Sequence, residues 1–330
     1  MTYANTKTTS QHPIGSGFGP GTTAAEAIRG IDLSAKTAIV TGGYSGIGLE
    51  TTRSLHSAGA TVVVPARDLS KARNALASMP SVIVEKVDLM DPISIDAFAT
   101  GFVGSGRPVH ILVNNAGIMA NPLTRDARGY ESQFATNHLG HFQLTAGLWP
   151  ALRRAKGARV VSLSSVGHRR AKVDFNDPNF ESREYDRWAA YGQSKTANAL
   201  FAVSLDMVGE PHGIRAFSVH PGGVITELIR YMSTEELLAY GVLDEHGRPI
   251  IDPARNMKTP EQGAATSVWC ATNCRLEGLG GVYCENCDIA IQVPGGSTEL
   301  RGVRPWAMDR ELARELWNLS ERLIGKCFPK

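Results

Sequence analysis

The chain has 330 residues, of which 42% are hydrophobic and 20% charged, and its 34 basic and 32 acidic side chains leave a net charge of +2. This balance is typical of a globular protein with a sizeable core, and it gives no support to a nucleic-acid partner or an anionic membrane surface. The five cysteines are an odd number, which argues against a disulfide framework, and no stretch approaches the roughly 18 apolar residues of a membrane span.

The N-terminal residues form a segment of their own. Residues 1–22 are rich in Gly, Ser, Thr and Pro, which predicts an extended or mobile conformation, and we assign residues 1–30 to an N-terminal arm. This segment lacks the basic and then apolar pattern of a secretion signal. With the cysteine count, it predicts a cytoplasmic protein of a reducing compartment.

Short β-branched runs alternate with segments of helical length after residue 36. The runs are 37–40, 61–66, 82–87, 109–113, 159–164 and 215–220, with a last strand at 281–285. Because they are nearly continuously apolar and separated by helices, they predict a single α/β domain, residues 31–330, built on a doubly wound parallel sheet. Turn signals and scattered apolar side chains in residues 224–258 predict a substrate-side insertion that forms a lid, with a simple packing helix as the alternative.

The first strand leads into the glycine-rich sequence "TGGYSGIG", residues 41–48. Without a Cβ atom, backbone N–H groups of such a turn approach a pyrophosphate, which rests on the positive end of the helix that follows. The alternative is a tight turn that needs positive φ angles. The residues predicted to bind the cofactor here are Gly42, Tyr44, Ser45, Gly46, Ile47 and Gly48.

Arg67 follows the second strand, in the region where a dinucleotide-binding protein contacts the adenosine ribose. The planar guanidinium suits a 2′-phosphate, whereas an acidic side chain would accept from a 2′-hydroxyl. We therefore predict NADP(H), with NAD(H) as the alternative if Asp68 contacts the ribose instead of capping the next helix. Asp88, after the third strand, is predicted either to contact the adenine or to cap a helix, and Leu89 is placed beside it in the cofactor site.

Tyr191 and Lys195 lie four residues apart in "AAYGQSKTANALF". On a helix this spacing makes the two side chains neighbours on one face. Lowering a tyrosine pKa from about 10 to near 7 requires about 4 kcal/mol, which one positive charge about 4 Å away supplies at an effective dielectric constant near 20. We therefore expect the lysine to lower the pKa of the phenol for acid–base catalysis, with a chance pairing as the alternative.

Six motifs occur in an order that resembles the short-chain dehydrogenase/reductase family over about residues 31–290. They are "TGGYSGIG", "NNAG" (114–117), "TNHLGHF" (136–142), "SLSS" (162–165), "YGQSK" (191–195) and "HPGGVITEL" (220–228). The sequences "NHLGHF" and "PARD", with the long gap between Ser165 and Tyr191, resemble the retinol dehydrogenase-like branch most. The resemblance implies a Rossmann fold.

The resemblance also implies the roles of individual residues. Tyr191 would exchange a proton with the substrate oxygen, and Lys195 would hold the nicotinamide ribose and favour the phenolate. Ser165 would hydrogen-bond the substrate oxygen, and Asn137 would help to hold a water molecule in a proton relay. The segments that would line the adenosine ribose and hold the nicotinamide carboxamide supply the remaining predicted cofactor-binding residues, which are Asn115, Ala116, Gly117, Pro221, Gly222 and Thr226.

The expected function is that of an NADP(H)-dependent carbonyl reductase or alcohol dehydrogenase acting on a small or medium, largely apolar ketone, aldehyde or secondary alcohol. An NAD(H)-dependent enzyme of the same mechanism and a non-catalytic NADP(H)-sensing protein are the alternatives. The resemblance implies a homodimer or homotetramer, and we expect neither a nucleic-acid nor a membrane partner. Membrane-bound members of the branch carry an apolar N-terminal anchor that this sequence lacks, so retinoid activity is not inferred.

Cysteine and histidine pairs are the remaining candidates for metal ligands. Cys284 and Cys287, with Cys270 and Cys274, have the number and spacing of a zinc site, and a redox pair is a second alternative. We expect ordinary thiols because Cys270 and Cys274 lie in a predicted helix. A third ligand does not accompany the two histidines of "NHLGH", and we predict no metal site.

Overall fold

An eight-stranded sheet forms the centre of the computed structural model, which describes residues 9–299 and 301–328. The strand order is β10-β9-β6-β5-β4-β1-β2-β3, and all neighbours are parallel except β9 and β10. The strands are β1 (Thr37–Val40), β2 (Thr61–Ala66), β3 (Ile83–Lys86), β4 (Ile111–Asn114), β5 (Arg159–Leu163), β6 (Arg215–His220), β9 (Val282–Glu285) and β10 (Asp288–Ile289), and a separate pair is formed by β7 (Gly223–Val224) and β8 (Met257–Lys258). The predicted single-domain, doubly wound α/β fold is confirmed.

Helices cover both faces of the sheet. They are α1 (Ala24–Ala27), α2 (Gly46–Ser57), α3 (Leu69–Ala75), α4 (Pro92–Gly104), α5 (Ser132–Phe134), α6 (Gly140–Gly147), α7 (Trp149–Arg154), α8 (Arg187–Gly209), α9 (Thr234–Ala239), α10 (Pro260–Thr272) and α11 (Arg310–Ile324). A π-helical turn, Ala135–Leu139, connects α5 to α6. Two apolar clusters lie on opposite faces of the sheet, one around Trp269 and the other around Trp149 and Trp317.

The central strands are buried on both faces because helices pack against each side. Every residue of β1, β4 and β9 is buried, which explains why their sequences are continuous apolar runs rather than alternating ones. The seven strands predicted from these runs are all present, with ends that differ by at most two residues. The antiparallel β10 and the β7–β8 pair were not predicted, because two-residue strands carry no periodicity.

Residues 224–258 fold beside the carboxyl end of the sheet. They contain α9, whose N-cap Ser233 forms a capping box with Glu236. Glu236 also pairs with Arg187 at the start of α8, and Tyr240 packs edge-on against Trp188 with ring centroids 5.5 Å apart. These contacts place the segment against the end of α8 that carries Tyr191.

The described part of the N-terminal arm is docked on the edge of the sheet. The Gln11 side chain donates to the carbonyl oxygens of Tyr283 and Ala290 at 2.8 and 2.6 Å, and it accepts from the Tyr283 amide at 2.9 Å. The Asp288 carboxylate accepts from two amides of the arm, those of residues 14 and 16. Residues 1–8, which belong to the predicted extended or mobile stretch, lie outside the described residues.

The described residues contain neither a membrane-spanning helix nor a metal-binding cluster. None of their helices has the length and apolar character needed to cross a bilayer. No three His, Cys, Asp or Glu side chains in this part of the chain come together as metal ligands. The five cysteines are free thiols, and those at positions 270, 284 and 287 are buried.

Candidate active site

Ser165 and Tyr191 meet beyond the carboxyl end of β5. Ser165 caps a short 3₁₀ helix, and its Oγ accepts from the Gly167 amide at 3.0 Å. Tyr191 lies near the start of α8, where Asp186 caps two amides of the first turn and so fixes the helix end. The Ser165 hydroxyl hydrogen-bonds the buried Tyr191 phenol. The structure therefore brings together two of the predicted catalytic residues that are 26 positions apart in the sequence.

Burial shifts the pKa values of Tyr191 and Lys195. Loss of solvation raises the pKa of Tyr191 to about 12, and the Ser165 hydrogen bond acts in the opposite direction. Burial also lowers the pKa of Lys195 to about 8. The lysine amine lies 5.6 Å from the centroid of the Tyr191 ring and donates to the Leu163 carbonyl at 3.0 Å. The expected fall of the tyrosine pKa towards neutrality is wrong for this structure, because the helical spacing says nothing about the burial that both groups undergo.

A protonated phenol and a serine hydroxyl beside it are suited to donating a proton to a substrate oxygen. At neutral pH Tyr191 carries its proton, which is the form that donates to a carbonyl oxygen as negative charge develops there. In the opposite direction the phenol must first lose its proton, which a pKa of about 12 makes unfavourable near pH 7. The arrangement therefore favours proton donation to a carbonyl substrate.

Asn137 lies in the π-helical turn and connects three segments. Its Oδ1 accepts from the Ile118 amide at 2.9 Å, and its Nδ2 donates to the Ile118 carbonyl at 3.0 Å and to Ser194 Oγ at 2.9 Å. Ser194 immediately precedes Lys195 on α8. Asn137 thus joins the loop after β4 to the helix that carries the tyrosine and the lysine.

The glycine turn after β1 has backbone geometry that side chains would prevent. Gly42 and Gly46 have φ angles of +63° and +49°. A Cβ on Gly48 would collide with the Gly42 carbonyl and lie 2.5 Å from Asn115 Nδ2. Helix α2 begins directly after this turn, and its N-cap Ser45 makes no side-chain cap hydrogen bond. The first amides of α2 thus lack a side-chain acceptor from the N-cap, as suits a site for a phosphate group.

The other residues predicted for the cofactor site lie around this turn. Tyr44 and Ile47 are half-buried and pack towards the core, and Leu89 is buried. The Asn115 side chain donates to the Thr41 carbonyl at 2.8 Å. A Cβ on Gly117 would lie 3.6 Å from the Lys195 amine, so this glycine borders the lysine directly. Ala116 continues the same segment, and its amide donates to Thr41 Oγ1 at 3.0 Å.

The residues predicted to contact the adenosine ribose lie at or near the end of β2. Arg67 is exposed, and the Lys86 amine donates to its carbonyl at 2.6 Å. Asp68 caps α3 by accepting from the Lys71 amide, as expected. Asp88 accepts from the amide of residue 90 in a turn. The alternative that Asp88 caps a helix is wrong, because Asp91 three residues later is the N-cap of α4.

The segment after β6 lies against the glycine turn. Pro221 and Gly222 form the turn, with Gly222 at a φ angle of +96°. Thr226 caps a short 3₁₀ helix, and its Cγ2 would lie 2.7 Å from a Cβ on Gly46. Thr226 comes so close that only glycine fits at position 46. This contact brings residues 224–258 against the glycine turn.

Two positioning residues were missed by the sequence analysis. A Cβ on Gly167 would lie 2.7 Å from Tyr191 Cε1, so the phenol ring lies directly on bare backbone. The buried His220 accepts from the amides of Val166 and Gly222 at 3.3 and 3.4 Å and contacts Asn256 at 2.7 Å. Gly167 belongs to none of the motifs quoted above, and His220, the last residue of β6 and the first of "HPGGVITEL", was given no role within that motif.

The residues present fit a nicotinamide dinucleotide. The uncapped end of α2 and the bare glycines suit a pyrophosphate, and the carboxyl ends of β1, β4, β5 and β6 are neighbours in the sheet, at the edge where doubly wound folds bind such ligands. Gly42, Gly46 and Gly48 would hold the pyrophosphate, and Lys195 would hold the nicotinamide end. When bound, the dinucleotide supplies the hydride.

Comparisons with known proteins agree with this geometry. The family model for short chain dehydrogenases matches residues 36–237. The chain is 44% identical over 293 residues to a Streptomyces lividans protein named "Probable oxidoreductase", covering 87% of this chain and 97% of that protein. It is 38% identical over 301 residues to Retinol dehydrogenase 12 of Homo sapiens, covering 89% of this chain and 88% of that protein.

A solved structure is similar to this chain in fold. An uncharacterized protein from Mycobacterium Paratuberculosis superimposes with a TM-score of 0.72 at 33% sequence identity, covering 94% of this chain and all of that one. The similarity therefore extends over almost the whole described fold.

Proposed function

The chain belongs to the short-chain dehydrogenase/reductase family, in its retinol dehydrogenase-like branch, and from this premise we propose that it is an NADP(H)-dependent carbonyl reductase or alcohol dehydrogenase. Its substrate is a small or medium, largely apolar ketone or aldehyde, or the corresponding secondary alcohol. The family membership makes it an oxidoreductase that uses a nicotinamide cofactor. The cofactor preference, the substrate class and the roles of single residues are the proposal.

The hydrogen-bonded pair of Ser165 and Tyr191 is the observation that carries this proposal. Tyr191 donates its proton to the substrate oxygen, and the Ser165 hydroxyl orients that oxygen. Lys195 holds the nicotinamide end and adds positive charge beside the phenol below pH 8. Asn137 holds the loop after β4 against α8. In the proposed mechanism this keeps the side chains of Ser165, Tyr191 and Lys195 directed at the same substrate and cofactor position.

Positive charge at the end of β2 supports the preference for NADP(H). The exposed guanidinium of Arg67 offers a planar pair of donors, and the Lys86 amine adjoins it through the Arg67 carbonyl. Asp68, which would favour a ribose hydroxyl, is engaged as the cap of α3. A phosphate on the 2′ position would therefore meet cationic donors rather than a carboxylate.

Exposed apolar side chains around the site support an apolar substrate. Val166, directly after Ser165, is 42% exposed, and Tyr231, Leu238 and Tyr240 of residues 224–258 are exposed to a similar extent. Large apolar side chains exposed together mark a binding surface more often than isolated ones do. We infer that residues 224–258 cover the substrate and thereby exclude water from the reacting oxygen.

A paired titration with NADPH and NADH, followed by nicotinamide fluorescence, tests the cofactor assignment. We expect NADPH to bind more tightly, and Arg67→Ala to weaken NADPH binding roughly 10- to 100-fold, which corresponds to the loss of charge-assisted hydrogen bonds. NADH binding should change less than about threefold. Arg73→Ala, which removes an equal charge from the last turn of α3, is the matched control. Equal or tighter NADH binding would assign the ribose contact to Asp68 and the cofactor to NAD(H).

A substrate panel separates catalysis from mere dinucleotide binding. The wild-type protein, supplied with the dinucleotide that it prefers, should reduce at least one of hexanal, benzaldehyde and acetophenone, or oxidise the corresponding alcohol. Tight dinucleotide binding without turnover of any compound in a broader panel would instead identify a dinucleotide-sensing protein.

A further inference from the structure

His141 is a fully buried histidine whose two ring nitrogens contact different parts of the site. It lies on α6, one helical turn after Asn137. Its Nδ1 is 3.0 Å from the Asn137 carbonyl oxygen, and its Nε2 is 2.8 Å from Thr41 Oγ1. Thr41 is the residue between β1 and the glycine turn. The His141 side chain therefore connects the start of the glycine turn to the π-helical turn.

The hydrogen bonds fix the tautomer of this imidazole. A carbonyl oxygen only accepts, so Nδ1 must carry the proton and donate to Asn137. Burial lowers the pKa of His141 to about 4, and the neutral ring has no second proton. Nε2 is consequently an acceptor, and the Thr41 hydroxyl donates to it.

The Thr41 end continues into the segment after β4. Thr41 Oγ1 accepts from the amides of Asn115 and Ala116 at 2.9 and 3.0 Å. With its own proton directed to His141, the hydroxyl uses one donor and two acceptor positions, its full capacity. Rotation of the imidazole would leave the Thr41 proton only the longer contact with the Val113 carbonyl, at 3.4 Å.

The Asn137 end continues into α8. The Asn137 side chain donates to Ser194 Oγ at 2.9 Å, and Ser194 Oγ donates to the Tyr191 carbonyl at 2.8 Å. Ser194 also adjoins Lys195 in the sequence. Two series of buried hydrogen bonds therefore meet at Asn137: one runs from the amides beside the glycine turn through His141 to the Asn137 carbonyl, and the other runs from the Asn137 side chain through Ser194 to the backbone of the tyrosine.

We propose that His141 is a positioning residue that couples the dinucleotide-binding turn to the helix carrying Tyr191 and Lys195. This inference rests on the proposed function, since it concerns the same dinucleotide and the same reaction. His141 is only 2% exposed, and we assign it no contact with the substrate or the dinucleotide. It acts through Thr41 on binding and through Asn137 on the catalytic side chains.

Two variants separate the two ends of the coupling. His141→Asn places an amide where Nδ1 lies and loses the contact with Thr41. It should weaken NADPH binding about tenfold, the effect of one buried hydrogen bond, and change kcat less than about threefold. His141→Gln places its amide where Nε2 lies and loses the bond to Asn137. It should lower kcat about tenfold and leave the Kd for NADPH within about threefold.

A second buried histidine provides the matched control. His138 is on the preceding turn, and its Nε2 contacts Ser320 Oγ of α11 at 2.8 Å, away from the dinucleotide turn. His138→Gln should lower the melting temperature but leave the Kd for NADPH and kcat within about threefold of the wild type. Thr41→Val removes the hydroxyl that bonds both His141 and the amides of Asn115 and Ala116, and it should weaken NADPH binding at least as much as His141→Asn does. Thr41→Ser should restore it.

The readouts are the Kd for NADPH and kcat for the best substrate among hexanal, benzaldehyde and acetophenone. If His141→Asn and His141→Gln alter both quantities equally, or no more than His138→Gln does, His141 is a structural residue and the inference is overturned. If neither His141 variant folds, the Thr41 pair decides, and unchanged NADPH binding in Thr41→Val overturns it. A wild-type protein that binds no NADPH or reduces nothing would contradict the proposed function itself, which is a separate result.

Discussion

At the scale of single residues, the sequence predicts the reacting groups but not their protonation. The spacing of Tyr191 and Lys195 correctly predicted two side chains on one helical face, with the amine 5.6 Å from the ring centroid. It could not predict that burial raises the pKa of the phenol to about 12 and lowers that of the amine to about 8. Both shifts come from burial, which depends on packing between segments that are remote in the sequence.

The pH dependence of the reaction follows from the Tyr191 phenol. A pKa of about 12 keeps the proton on the phenol throughout pH 6–9, so carbonyl reduction should show no loss from tyrosine ionisation in this range. Alcohol oxidation needs the phenolate, and its kcat/KM should rise with pH up to at least pH 9. Rate profiles in both directions check this, and an oxidation rate that levels off near pH 7 would contradict the raised pKa.

The contact between Gly167 and the Tyr191 ring leads to a prediction that no sequence motif suggested. In Gly167→Ala the new methyl group would lie 2.7 Å from Tyr191 Cε1, and the ring must move away from Ser165. We expect kcat to fall at least about tenfold, because small misplacements of catalytic groups are costly. Dinucleotide affinity should change less than about threefold, since Gly167 is remote from the glycine turn. Normal kcat in a folded Gly167→Ala variant would show that the ring does not depend on this contact.

At the scale of elements, sequence patterns found the strands and the glycine turn but not the connections that hold the site. β1 and the following turn were predicted because an apolar run ends in three spaced glycines. The π-helical turn at Ala135–Leu139 was not, since "ATNHL" has no composition that distinguishes it from an α-helix. The same applies to Asp88 and Asp91, which are both acidic residues ahead of a helix and differ only in which one caps it.

The glycine turn can be tested against a glycine of the same chain. Gly48→Ala should abolish or strongly weaken dinucleotide binding, because its Cβ would collide with the Gly42 carbonyl and crowd Asn115 Nδ2. Gly101→Ala in α4 is the control, since nothing lies within 4 Å of its Cβ, and alanine should if anything stabilise that helix. Equal dinucleotide affinity in the two variants would contradict the proposed close approach of α2 to the turn.

At the scale of the whole molecule, the fold followed from the alternation of apolar strands and helices, whereas the packing of the termini did not. Gln11 bonds to β9 and the residue after β10 across 272 to 279 positions, and a polar segment gives no sequence signal for such a contact. The two histidines of "NHLGH" were expected to be core or surface residues rather than metal ligands. His138, His141 and His168 are in fact fully buried, and burial lowers the pKa of all three.

These histidines predict how stability depends on pH. A folded pKa of about 3 to 4, below the usual 6.5, means that the unfolded chain binds more protons in the window between them. Stability should therefore fall as pH decreases from 6.5 towards 4. The buried carboxyl groups of Glu131 and Glu285, whose pKa burial raises, act in the opposite direction.

A single variant isolates the histidine contribution. Between pH 7 and 5 each such histidine contributes about 2 kcal/mol to the loss of stability, or roughly 3 °C in melting temperature for a chain of this size. His138→Gln should reduce the difference in melting temperature between pH 7 and pH 5 by about that amount. An undiminished difference would show that His138 does not titrate as a buried neutral group.

The proposed function requires Tyr191 to supply the proton in a hydride-transfer reaction, and the variant Tyr191→Phe shows whether it does. Turnover of the best carbonyl substrate and the Kd for NADPH should be measured on the same preparations. Tyr130→Phe serves as the control, because its hydroxyl donates to Leu323 O in α11, outside the site. The account predicts that Tyr191→Phe loses roughly 100- to 10,000-fold in turnover, the range for a general acid, while NADPH binding stays within about threefold and the control remains active. Turnover near the wild-type rate in Tyr191→Phe would contradict it.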